Sequence, residues 1–192
     1  MRSSSDQSSS SGTWRFSARV ATLVAVGTHE VPFHRLEAVV ANLAGRGALP
    51  APVFVQTGAG GAGMDFPASV STVDFLAPAA LEGLMRSARY VITHGGPGLI
   101  FMALEAGHRP IAVPRSAAHG EHVDDHQRAF VERMGAHGLV HALKEPAALN
   151  ATLRSLTTTR QPSVVRPPAD EPSVLSFAER FGELADSLVA AR

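Results

Sequence analysis

The chain has 192 residues, no cysteine, and 17 basic against 17 acidic side chains. Without cysteine there can be no disulfide, no thiolate metal ligand and no cysteine nucleophile. Zero net charge excludes the basic excess on which generic nucleic-acid binding rests, and no run approaches the ~18 apolar residues of a membrane span.

Residues 1–16 are dominated by Ser and other polar side chains and read as a disordered leader. They bury too little apolar surface to offset the entropy of ordering, and they lack the apolar stretch of a signal peptide. Residues 17–160 read as one domain, long enough to bury a core without covalent staples. Residues 20–26 (VATLVAV) are a β-branched run ending at Gly27, a strand signal. Apolar side chains at 33, 36, 39, 40 and 43 predict a helix over 33–43. Strands are expected over 52–55 and 71–75, then a helix over 78–88 with Pro in its first turn. A strand over 90–92, a helix over 97–106, a strand over 111–113, a helix over 123–134, a strand over 139–142 and a helix over 147–156 complete the series. Such alternation predicts an α/β fold: a Rossmann-like parallel sheet with helices on both faces. Residues 161–173 are Pro-rich and read as a linker. Beyond them Val174, Phe177, Phe181, Leu184 and Leu188 repeat at helical spacing. They predict a C-terminal amphipathic helix over 174–192, packed on its own domain or on a partner chain.

In a parallel sheet, ligands sit at the carboxyl ends of the strands, and three segments there carry chemistry. Thr93-His94-Gly95-Gly96-Pro97-Gly98 follows a strand and opens a helix. Its glycines allow a sharp turn and close backbone approach. The helix N-terminus favours an anion, and His94 is placed to donate to a phosphate oxygen. Gly120-Glu121-His122-Val123-Asp124-Asp125-His126-Gln127 is dense in hydrogen-bonding side chains, as a pocket for sugar hydroxyls requires. The alternatives are a solvated cap, with Asp124 or Asp125 capping the helix, and a metal site built on His119, His122 and His126. Gly27-Thr28-His29 closes the first strand; it could offer backbone N–H groups to a donor or set His29 beside the reacting centre. Gly58-Ala59-Gly60-Gly61-Ala62-Gly63 fits GxGxxG. A dinucleotide fingerprint must open directly into a helix, whereas Pro67 and β-branched residues follow, so a flexible glycine loop is expected.

The strings VAVGTHEVPFHRL, VITHGGPG, HRPIAVPR and GEHVDDHQ together resemble the C-terminal, donor-binding domain of family 28 glycosyltransferases of the GT-B fold. The likeness is to small stand-alone members, such as the catalytic subunit of the dolichol-linked UDP-GlcNAc transferase and bacterial exopolysaccharide-synthesis counterparts. It implies one half of a GT-B enzyme that binds a UDP-sugar, UDP-GlcNAc being the donor of the subunit it resembles, while the sugar of this chain stays open. The resemblance places the nucleotide at Gly27, Thr28, His94, Gly95, Gly96 and Gly98. It places the sugar at Glu121, Asp124, Asp125, His126 and Gln127, with His29 as the catalytic candidate. Transfer would be inverting and metal-independent, with no cofactor beyond the UDP-sugar itself. A membrane-associated partner would supply the acceptor half, so the chain is expected in the cytoplasm, recruited to the inner face of the membrane. Two positions depart from the family pattern: Leu99 stands where a hydroxyl residue is usual and Met102 where a ribose-binding Glu is usual. Glu105, one turn further on, is the expected substitute. The competing reading is a non-catalytic scaffolding or regulatory subunit of the same fold.

Overall fold

A computed structural model describes residues 20–158. The expected leader, linker and C-terminal helix lie outside the described residues. The order is β1 (Thr22–Ala25), α1 (His34–Gly45), β2 (Val53–Gln56), β3 (Val70–Val73), α2 (Pro78–Ser87), β4 (Tyr90–His94), α3 (Pro97–Glu105), β5 (Ile111–Val113), α4 (His126–Ala136), β6 (His141–Ala142) and α5 (Leu149–Thr158). The glycine segment Gly58–Gly63 forms a 3-10 turn between β2 and β3 rather than opening an α-helix. Helix α4 begins three residues later than its apolar spacing predicts. Val123, read as its first apolar position, is 87% exposed and lies outside the helix.

All strands pair in parallel, in the order β3-β2-β1-β4-β5-β6. The order changes direction between β1 and β4, which makes the crevice beyond their carboxyl ends the natural ligand position. Alternation along the strands sorts the core into two faces. Val24, Ile92, Ile111 and Val113 pack with Leu36, Val40 and Leu43 of α1 and with Leu149, Leu153 and Leu156 of α5. Leu23, Ala25, Phe54 and Val91 pack on the other face under Leu81, Leu84 and Met85 of α2. That face continues with Ala112 under Ile100 of α3 and Val131 and Met134 of α4. Each such side chain contributes about 1.5–3 kcal/mol on leaving water, so the crevice rests on a rigid floor.

Ile92 is fully buried in β4, two residues before His94. Ile92→Ala is expected to lower unfolding free energy by about 2–5 kcal/mol and Ile92→Val by about 0.5–1.5 kcal/mol, read from urea unfolding. Equal losses for the two variants would show that the strand repacks around the gap.

Candidate functional site: the cleft between β1 and β4

His94 closes β4 inside a slot walled by glycine. Gly27 has a left-handed φ of +83°, and a Cβ there would lie 2.6 Å from His94 Nε2. A Cβ on Gly96 would lie 2.0 Å from His94 Cε1. Any side chain at either position would drive the imidazole out. Gln56, buried at the end of β2, holds Gly27 from both sides: its Oε1 accepts the Gly27 N–H at 3.0 Å and its Nε2 donates to the Gly27 carbonyl at 2.8 Å. His94 Nδ1 accepts the Gly96 N–H at 2.9 Å. Burial above all, then the positive charge of Arg115, pushes the His94 pKa down to about 4. The ring is therefore neutral at pH 7, and its engaged Nδ1 leaves the proton on Nε2, a tautomer assigned from the hydrogen bonds. Pro97 begins α3 and brings no N–H, so the free donors of this helix start are at Gly98, which is exposed, and Leu99.

The far wall is built around Arg115, which follows β5 and is 1% exposed. Its Nη1 donates to the carbonyls of Val31, Pro32 and Glu121, and its Nη2 to the Val26 carbonyl at 3.2 Å. The guanidinium lies 4.9 Å from the Phe33 ring centroid, where a cation is attracted to the ring face. Glu121 is also buried, and its carboxylate is committed to the scaffold. It takes two hydrogen bonds from Arg35, at 3.0 and 2.7 Å, and one from the Ser116 N–H at 3.0 Å. Gln127, buried at the start of α4, accepts the Arg115 N–H at 3.1 Å. Asp125 accepts the Ala117 N–H, and Asp124 accepts the His126 N–H and pairs with the His126 ring at 2.7 Å.

Of the sequence-predicted nucleotide residues, Gly27, His94, Gly95 and Gly96 meet at the strand ends, with Thr28 and Gly98 exposed beside them. His29 reaches the same place: its ring centroid is 5.3 Å from that of His122. Glu105 is exposed at the last residue of α3. Leu99 and Met102 are half-buried against the apolar cluster shared with α2. Among the described residues no group of three or more His, Asp or Glu is placed to hold a metal ion, the His119, His122 and His126 set included. Arg35, Gln56 and Arg115 escaped the sequence reading. Their partners lie far along the chain, and no local spacing signals them.

The sequence matches the model of the glycosyltransferase family 28 C-terminal domain over residues 22–180. The chain belongs to that family. The crystal structure of Acinetobacter baumannii MurG shares its fold at 18% identity and a TM-score of 0.56, over 77% of this chain and 44% of that one. A structure of the glycotransferase of kitacinnamycin does so at 21% identity and 0.54, over 96% of this chain and 43% of that one. The chain thus spans less than half the length of either. No curated protein matches it in sequence. The family 28 domain is accordingly a Rossmann-like half of a GT-B fold, and its cleft is the edge at which Gly27 and His94 meet. Among the described residues no helix is long and apolar enough to cross a membrane.

Proton linkage follows from the depressed histidines. Between pH 6.5 and about 4 the unfolded chain binds a proton that folded His94 refuses, so stability falls as pH drops through that window and is level above it. His141, lowered to about 4 by burial and then Arg109, acts in the same sense, as does buried His108. Glu37, raised by burial, acts oppositely as pH climbs past its ordinary 4.5. The family 28 domain is expected to lose stability from pH 7 to pH 5 in urea titrations, the His94 share being on the order of 2 kcal/mol. His94→Asn can still accept the Gly96 N–H but does not titrate, so its loss should be smaller; an unchanged pH slope would show that His94 titrates normally.

Proposed function

We propose that the chain is the donor-binding half of a UDP-sugar glycosyltransferase, completed by a membrane-associated partner that carries the acceptor half, in exopolysaccharide or lipid-linked glycan synthesis. The observation that carries this reading is the convergence of Gly27, His94 and the α3 N-terminus at the point where the strand order changes direction. Neutral His94 and the free N–H groups of α3 form a donor set for a diphosphate at no cost in proton uptake. In transfer, an acceptor hydroxyl attacks the anomeric carbon from the side opposite UDP. The bond from that carbon to the phosphate oxygen breaks, and UDP leaves with the electron pair. The chain's contribution is to hold that departing charge with preorganised dipoles. His29 suits the same task, because its Nδ1 accepts the Val31 N–H at 3.0 Å, which in a neutral ring assigns Nε2 as the donor. A base that takes the acceptor proton is then left to the partner.

Calorimetry against UDP, uridine and a panel of UDP-sugars tests this directly. UDP is expected to bind with the same affinity in excess chelator as in excess Mg²⁺. His94→Ala should weaken UDP by roughly 1.5–3 kcal/mol, the range for a hydrogen bond to a charged group, and leave uridine nearly unchanged. The isolated chain should transfer sugar poorly until the acceptor half is added, since positioning both reactants is worth ~7–11 kcal/mol.

The packing of Leu99 and Met102 against α2 favours a second reading, a scaffold that has given up the nucleotide. Absence of binding by every nucleotide in the panel would establish it. Glu105→Gln separates the two at the ribose. A loss of roughly 1–3 kcal/mol in UDP affinity would place that carboxylate on the sugar hydroxyls, and no change would leave it a surface residue at the helix end.

A further inference from the structure

The same local device occurs at three places around the cleft. In each, a histidine ring takes on Nδ1 the backbone N–H of the residue two positions ahead. Val31 donates to His29 at 3.0 Å, Gly96 to His94 at 2.9 Å and Asp124 to His122 at 3.4 Å. The three histidines sit after β1, at the last residue of β4 and between β5 and α4. In a neutral ring, an Nδ1 that accepts a backbone N–H leaves Nε2 as the donor, a tautomer assigned from the hydrogen bonds; at His122 the Asp124 carboxylate shares the Nδ1 side of the ring. Among the described residues none of the three Nε2 atoms has a protein partner, and all three rings are partly exposed. The His29 and His122 ring centroids are 5.3 Å apart, tilted by 39°, and His94 closes β4, the strand paired beside β1, at the same carboxyl edge of the sheet.

A cluster of imidazoles serves a metal ion or an anion. The residues here are not placed to hold a metal. Metal binding also needs bare ring nitrogens, whereas the hydrogen bonds leave N–H groups at the open edges. Around the cluster stand the buried Arg115 cation and the N-terminus of α3. Asp124, whose Oδ1 is 3.3 Å from His122 Nδ1, is already paired with His126. Within residues 120–127 the other polar groups are spoken for: Glu121 by Arg35 and Ser116, Asp125 by Ala117, Gln127 by Arg115.

We propose that His122 joins His29 and His94 as a diphosphate contact, so that three imidazole N–H groups, from two loops and the end of β4, enclose the phosphates of the donor. The segment after β5 then meets the phosphates through His122. This rests on the donor-binding reading, and pyrophosphate makes the two separable. Inorganic pyrophosphate is titrated into the chain while the imidazole nitrogens are followed by long-range ¹⁵N–¹H spectroscopy. The His29, His94 and His122 signals are expected to move together with one dissociation constant, while exposed His137 stays still. In parallel, His122→Phe keeps a ring against His29 but removes the donor. It should weaken UDP about tenfold or more and change uridine binding less than twofold. Pyrophosphate shifts confined to His94, or an unchanged UDP-to-uridine ratio in His122→Phe, would overturn the assignment while leaving donor binding intact. Shifts at all three rings without binding of any nucleotide would keep the anion site and overturn the donor reading.

Discussion

A single buried cation holds the carboxyl edge of the sheet in shape. Arg115 reaches across the strand ends and hydrogen-bonds carbonyls on both sides of the cleft: Val26, Val31 and Pro32 after β1, and Glu121 after β5. Burying a guanidinium is costly unless its donors are satisfied; here both Nη groups reach four carbonyls and the Phe33 ring lies 4.9 Å away, while Nε is buried without a partner among the described residues. The carbonyls gain equally, since loop backbone drawn under a surface needs partners. An apolar residue in place of Arg115 would strand all four. Burial does press its pKa downward, with Glu121 and Glu37 opposing, yet a guanidinium stays charged under any such pressure.

The Arg35 and Glu121 pair works one layer out. Arg35 is anchored in the first turn of α1 and grips Glu121 and the Pro114 carbonyl, residues 86 and 79 positions away. Glu121 in turn fixes the Ser116 N–H. A buried ion pair is weak evidence of stability, but it can fix a loop. Here the fixed loop is the one that carries His122 to within 5.3 Å of His29. The route from sequence to cleft therefore runs through side chains that need not touch a ligand themselves.

The fold was legible because strand and helix periodicities alternate cleanly and the strands are short β-branched runs. The parallel Rossmann-like sheet, the helix starting at Pro97 and the strand before Gly27 all follow from that pattern. Boundaries failed where apolar residues are not core: Val123 extended the expected α4 backward although it is exposed. Within the site, the Gly-rich turn and His94 were readable, since turn chemistry is local. The state of Glu121 was not. Its sequence neighbours suggest a pocket carboxylate, and only the Arg35 contact, formed between residues 86 apart, reveals that both oxygens are occupied. Gln127 is the same case, taken up by a backbone N–H that folding alone delivers.

The departures at Leu99 and Met102 bear on how a nucleotide would be held. Both side chains face the apolar contact with α2, where a hydroxyl or a carboxylate would be half-buried without a partner. Apolar residues at 99 and 102 therefore strengthen the α2–α3 packing that sets the direction of α3, and with it the aim of the helix start at Gly98. Where the family resemblance would put side-chain contacts to ribose and phosphate, this helix has packing that fixes its orientation. On the donor-binding reading, recognition would rest on backbone N–H groups and imidazoles, held by glycine walls and by Arg115 behind them. Donors of this kind discriminate by the charge of the ligand more than by its sugar hydroxyls. On the donor-binding reading, a cleft so built would hold its ligand through the phosphates first and leave the identity of the transferred sugar to groups beyond the diphosphate.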